Sequence, residues 1–200
     1  MTQTGIRSGG GAGYAEYRKF VLFRLAGETY GLDILQLREI IAKYQLTVLP
    51  NLPEFFRGVL GLRGEPIPIV NLRRRFGFGD APKTELSRVI IVDMKPSVFG
   101  IEVDEVQRVS TFAMDKIEQA PALSSGERLP FVTGVSELDD GKLVIFLDME
   151  RVLNGIEQVA LAEIGDSIRD AYRDSKSGGL AGLLAREPPT ATTEAGPTEG

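Results

Sequence analysis

The chain has 200 residues, 42% apolar and 26% charged, with 28 acidic against 23 basic side chains and a net charge of −5. That is enough apolar material for one moderately large domain or two small packed ones, and the acidic balance disfavours a nucleic-acid partner. Cysteine and histidine are both absent, which excludes disulfides, thiolate nucleophiles and imidazole acid–base or metal chemistry, so no catalytic residue, metal or cofactor is expected.

Residues 1–16 are small, polar and glycine-rich and are expected to form a flexible arm. They hold no apolar signal segment, and no run of about 20 apolar residues follows anywhere, so a cytoplasmic protein is expected. Phe20-Val21-Leu22-Phe23 has the pattern of a buried strand, and Ala26-Gly27-Glu28 can turn the chain. Tyr30, Leu32 and Ile34 then alternate with Gly31 and Asp33 as a second strand. Ile40 to Leu49 predicts a third strand, and Pro53-Glu54-Phe55-Phe56 predicts one helical turn. Gly58 to Leu62 and Ile67 to Val70 flank Arg63-Gly64-Glu65 as a hairpin. Pro66 and Pro68 lack an N–H and place its second strand at an edge or beside a bulge. Asn71 is suited to cap a short helix from Leu72 to Phe76, with Gly77 as its stop.

The pattern then recurs. Phe20 to Leu25 is echoed by Val89 to Met94, and Tyr30 to Ile34 by Phe99 to Val103, at a constant offset of 69. Gly64 matches Gly141, Ile69 matches Phe146 and Asn71 matches Asp148 at an offset of 77, so eight extra residues fall in the second copy, around Asp115 to Pro130. Two copies imply a duplicated small all-β fold, each copy with about five strands and a short closing helix, the content of a small closed barrel. The copies are expected at about 17–80 and 84–153. The boundary near Gly77 to Lys83 is approximate, because the first strand can cross between barrels. Ile156, Val159, Ala160, Glu163 and Ile164 keep helical spacing and predict a C-terminal helix. Residues 166–200 are expected to be partly helical and then a disordered tail, poor in bulky side chains from Ser175 onward.

No nucleophile elbow, phosphate loop or zinc-protease motif is present. Asp104-Glu105 and Asp139-Asp140 are sequence neighbours that point different ways, and Asp139-Asp140-Gly141 fits hairpin turn chemistry. Arg73-Arg74-Arg75 reads as a solvated helix face. Leu37, Arg38 and Glu39 after the second strand, with Arg63 at a turn tip, are the candidates for recognition.

The run Tyr30-Gly-Leu-Asp-Ile-Leu, Arg38-Glu-Ile-Ile and Arg57-Gly-Val-Leu-Gly-Leu-Arg-Gly-Glu-Pro-Ile-Pro-Ile-Val-Asn-Leu-Arg resembles the CheW family of bacterial chemotaxis coupling proteins. Val98-Phe-Gly-Ile-Glu-Val-Asp-Glu-Val and Val144-Ile-Phe-Leu-Asp-Met-Glu-Arg-Val-Leu agree with it, and the similarity spans about 17–165. The resemblance implies two SH3-like five-stranded β-barrels, each with its own core, short helices and a C-terminal helix. It implies a non-catalytic adaptor at cytoplasmic receptor arrays. Its partners would be methyl-accepting chemoreceptor tips and the regulatory domain of the histidine kinase CheA. Carried over by position, the receptor-binding residues would be Leu37, Glu39, Gly58, Arg63 and Gly64, the two glycines shaping turns. The family's usual Asn-Leu-Arg-Gly stands here as Gly61-Leu62-Arg63-Gly64, which implies a looser loop because the amide's hydrogen bonds are missing. A non-flagellar chemosensory scaffold, an OB-like nucleic-acid binder and a carboxylate hydrolase remain open as alternatives on the residues.

Overall fold

The computed structural model describes residues 16–49, 53–95, 97–120, 129–153, 157, 162–167 and 169–170. Most of the expected arm, most of the expected eight-residue insertion and the tail from Ser175 lie outside these. The described chain is built almost wholly of strands: β1 (Tyr17–Leu25), β2 (Glu28–Asp33), β3 (Leu37–Ile41), β4 (Phe56–Leu62), β5 (Glu65–Asn71), β6 (Arg88–Met94), β7 (Ser97–Val103), β8 (Glu105–Ala113), β9 (Val132–Glu137) and β10 (Leu143–Leu147). Two one-turn helices, α1 (Leu72–Arg75) and α2 (Met149–Val152), follow β5 and β10.

The strands form two five-stranded sheets, ordered β8-β1-β2-β10-β9 and β3-β6-β7-β5-β4. Replacing each strand by its counterpart five places along the chain converts one order into the other, so the duplication is real in space. The sheets are not the sequence copies, however. The β1–β2 hairpin of the first copy completes the sheet of β8, β9 and β10, and the β6–β7 hairpin of the second completes that of β3, β4 and β5. Each sheet closes on itself through one isolated two-bond bridge, Thr47 with Val59 in one and Glu118 with Val135 in the other. The result is two SH3-like barrels, the β1 barrel and the β6 barrel, that have exchanged hairpins.

Alternation along the exchanged strands separates three cores. Phe20, Leu22, Val144 and Phe146 fill the β1 barrel. Tyr44, Leu60, Ile67, Ile69, Val89 and Ile91 fill the β6 barrel. The opposite faces, with Phe23, Leu25, Tyr30 and Leu32 from one hairpin and Ile90, Val92, Phe99 and Ile101 from the other, meet in a third and larger core between the barrels. Burying each such side chain contributes about 1.5–3 kcal/mol, so the space between the barrels, not either interior, is the largest apolar contribution to folding. Gly31 and Gly100 face the two interiors at equivalent places. A Cβ on Gly31 would lie 2.7 Å from Phe146, and one on Gly100 would lie 2.5 Å from Ile69.

Several local expectations change. Ile34 leaves β2 for a 3-10 turn over Ile34–Gln36, and β3 is shorter and earlier than Ile40 to Leu49. Pro53 to Phe56 is a turn closed by Phe56 N–H on the Pro53 carbonyl at 2.9 Å, not a helix. Of the two placements expected for β5, at an edge or beside a bulge, the second holds: it lies between β7 and β4, and its ladder with β4 shifts register at Phe56/Gly58, opposite Val70 and Ile69. Its prolines are tolerated because its ladder with β7 covers only Ile69 to Asn71, beyond both of them.

Candidate functional site

The candidate rim is made where β3 meets the tip of the β4–β5 hairpin. Ile34–Gln36 is capped by Asp33, whose carboxylate accepts from the Leu35 N–H at 2.9 Å, and the chain enters β3 at Leu37. Leu37 opposes Val92 and Glu39 opposes Ile91, so Arg38 is the extra residue of a bulge. The bulge places the neighbouring side chains of Arg38 and Glu39 where both can reach the hairpin. Leu37 is half-buried and packs on the core between the barrels.

Across from β3, β4 and β5 pair in register out to Leu62 and Glu65, leaving Arg63 and Gly64 as a two-residue turn. Both have positive φ, +50° and +87°, the signature of a type I′ hairpin. At Gly61, where the loop was expected to be looser, the strands pair in register and a side chain would meet nothing within 4 Å. Arg63 donates from Nη2 to Glu39 Oε2 at 3.0 Å, with the Arg63 side chain 76% exposed and that of Glu39 20% exposed. Arg38 donates from Nη2 to Glu65 Oε2 at 3.4 Å. Two ion pairs thus run between β3 and the hairpin beside the apolar Leu37.

The structure brings Leu37, Glu39, Arg63 and Gly64 to this one end of the β6 barrel. Gly58 lies elsewhere. It sits inside β4 at a bulge, with φ +141°, and a Cβ there would stand 2.6 Å from the Thr47 carbonyl oxygen. That carbonyl accepts from Val59 in the bridge that closes the barrel, so Gly58 shapes a closure and not a turn. Sequence reasoning missed Glu65 as a partner for Arg38, because neither residue type nor spacing relates them until the hairpin is folded.

Arg73, Arg74 and Arg75 are not a solvated face. Arg73 Nη1 donates to Asp104 Oδ2 at 2.7 Å, and the same oxygen accepts from the Ala26 N–H at 2.8 Å. Arg74 chelates Asp80, which also accepts from Asn71 Nδ2 at 2.8 Å. The Arg74 guanidinium holds the Asp80 carboxyl down to a pKa of about 2. Arg75 Nε donates to the Val152 carbonyl at 2.7 Å and Nη2 pairs with Glu157 at 3.3 Å. These three side chains fasten α1 to both copies and to Glu157. Among the described residues no group of three or more acidic side chains is placed to hold a metal ion, and no helix is long and apolar enough to cross a membrane.

A model of the CheW-like domain family matches residues 19–157. The chain is 34% identical over 152 residues to the chemotaxis protein CheW of Klebsiella aerogenes, covering 76% of this chain and 90% of that one. It is 29% identical to the protein PilI of Pseudomonas aeruginosa, over 61% of this chain and 68% of that one. The solved structure of the scaffolding protein TtCheW from Thermoanaerobacter tengcongensis superposes with a TM-score of 0.64 at 36% identity, covering 71% of this chain and 97% of the other.

Proposed function

This chain belongs to the CheW family, a family of scaffold and adaptor proteins, and from that membership we propose that it couples chemoreceptors to the histidine kinase CheA without catalysis of its own. The observation that supports this reading most directly is the rim itself. Leu37 offers a half-buried apolar contact, and the Glu39–Arg63 pair stands beside it on a turn held by a regular hairpin. An apolar anchor flanked by charge suits the side of a helix laid against it, as a receptor's helical hairpin tip would be. Exposed ion pairs contribute only about 0.2–1 kcal/mol to stability, so the value of this pair lies in orienting a partner. The likeness to PilI favours a second reading, the same coupling role in a chemosensory pathway other than flagellar chemotaxis.

Arg63→Glu tests the assignment, because it sets like charge against Glu39 and reverses the rim. Binding to the cytoplasmic tip of a receptor should weaken about tenfold, or 1.4 kcal/mol. The melting temperature should correspond to a change below about 0.5 kcal/mol, as for an exposed site. Binding to the CheA regulatory domain should persist. Loss of both affinities together, or unfolding of the variant, would make Arg63 structural and sink the rim as a receptor site.

A further inference from the structure

The duplication gives each barrel a crevice at the same place. In the β6 barrel it is lined by Ser87, Glu102 and Asp104 and, at the start of α1, by Asn71 and Arg73. In the β1 barrel the counterparts line it too: Arg18, Asp33 and Leu35 at the offset of 69, and Asp148 and Glu150 at the offset of 77. The two sites differ in what covers them. Ala81-Pro82-Lys83, from the link between the copies, lies along the β6 crevice, which keeps only about 20 Å³. The β1 crevice opens to about 340 Å³, with buried Phe20, Phe146 and Leu147 as its floor and Leu35, 86% exposed, at its mouth.

The link is held over the β6 crevice at both its ends. Asp80 pairs with Arg74 and accepts from Asn71 Nδ2 at 2.8 Å. Lys83 Nζ lies 3.4 Å from the centre of the Tyr44 ring and donates to the Tyr44 carbonyl at 2.7 Å. In the β1 barrel this chemistry is reversed. Arg151 corresponds to Arg74, but its acid comes from the barrel itself, because Asp148 stands in place of Asn71 and pairs with it at 3.1 Å. Glu150 stands in place of Arg73. The β1 crevice is thus lined by Asp33, Asp148 and Glu150 against Arg18 alone. A segment with an acid in the position of Asp80 would be repelled there, and one with a base would be attracted.

We propose that the β1 crevice binds an extended segment of a partner protein, with a small residue and a proline in the places of Ala81 and Pro82 and a lysine or arginine in the place of Asp80. The apolar floor takes the proline, which is already rigid and loses little freedom on binding. The three carboxylates select the base. The site is separate from the rim of Leu37, Glu39, Arg63 and Gly64, which belongs to the β6 barrel, and it does not depend on receptor coupling.

The probes are two peptides, the link from Gly77 to Lys83 and the same peptide with Asp80→Arg, each titrated into the isotope-labelled full chain and followed by nuclear magnetic resonance. The Asp80→Arg peptide should shift the amide signals of Leu35, Gln36, Thr133 and Glu150, with a dissociation constant on the order of 0.1–1 mM for so small a contact. The unaltered link peptide should bind at least about fivefold more weakly at low salt, and the difference should fade near 1 M salt, where screening reaches down to about 3 Å. In the chain carrying Glu150→Arg, at an exposed position, the preference for the basic peptide should be lost. Equal binding of the two peptides by the wild-type chain, shifts confined to the rim, or no shift at millimolar peptide overturns the proposal. The chain holds no cysteine, so a spin label at Thr4→Cys has no background. Broadening of the Leu35 and Gln36 signals by that label before any peptide is added would make the chain's own N-terminal residues the occupant, and would equally overturn a partner site.

Discussion

Ala26 and Arg63 are the non-glycine residues in the left-handed region among those described, with φ +55° and +50°, and each is the first residue of a two-residue hairpin turn followed by glycine. A Cβ in that conformation costs about 1 kcal/mol, and asparagine tolerates it best among larger residues. Ala26→Asn should therefore stabilise the protein by about 0.5–1 kcal/mol, visible as a raised melting temperature, because its N–H can still reach Asp104. At Arg63 the same relief, by Arg63→Asn, should come with weaker receptor binding. Separation of stability from binding at this position is what a strained functional residue would show. Gly58 behaves in the opposite way. Gly58→Ala puts a methyl group 2.6 Å from the backbone oxygen of Thr47 and should destabilise by more than about 2 kcal/mol in denaturant unfolding. Leu37, Glu39 and Arg63 could be picked out in the sequence by their place after a strand and at a turn tip, but a receptor-binding role came to them only through the family's motif. The Arg38–Glu65 pair could not be named at all, since it depends on a bulge and on hairpin closure, which no local pattern encodes.

At the scale of elements, strands built on continuous apolar runs were legible: β1, β2, β6 and β7 are each buried on both faces through their middles. The Asn71 cap was legible too, since its side chain accepts from the Arg74 N–H at 3.1 Å. β3 was misplaced because a 3-10 turn and a bulge break its period, and β5 was left between an edge and a bulge because proline constrains only the ladder partners it would have needed. The arginine triplet was misread because its acidic partners lie 6 to 82 residues away, from Asp80 beside Arg74 to Glu157 opposite Arg75. One of those pairs has a pH signature. Asp80 is depressed from its ordinary 3.8 to about 2, so it binds fewer protons folded than unfolded. Its stabilising contribution is present above about pH 4 and is lost as pH falls towards 2. Asp80→Asn should remove that part of the acid transition, flattening stability between pH 4 and 2 when followed by circular dichroism. An acid limb identical to that of the wild type would show the pair to be idle.

At the scale of the molecule, the duplication was legible in its constant offsets, but the exchange of hairpins was not, because pairing between sheets leaves no trace in periodicity. The exchange makes the copies interdependent. Residues 17–83 alone lack two of the five strands of the β6 barrel and three of those of the β1 barrel. That fragment should show no cooperative melting, and mixing it with residues 84–170 should restore one. Cooperative unfolding of the fragment by itself would mean that each copy can recruit its own hairpin.

The exchange also sets a clock on biosynthesis. The β6 barrel has all its strands once Val103 has been made, but the β1–β2 hairpin, finished at Asp33, waits for β10 to end at Leu147. At roughly 5–20 residues per second, the interval of about 110 residues lasts on the order of 5–20 s. For that time the apolar face of Phe20 and Leu22 has no barrel to enter and offers an open strand edge. The first hairpin to leave the ribosome is thus among the last to find its sheet, and the nascent chain is most prone to aggregate while its second half is still unmade.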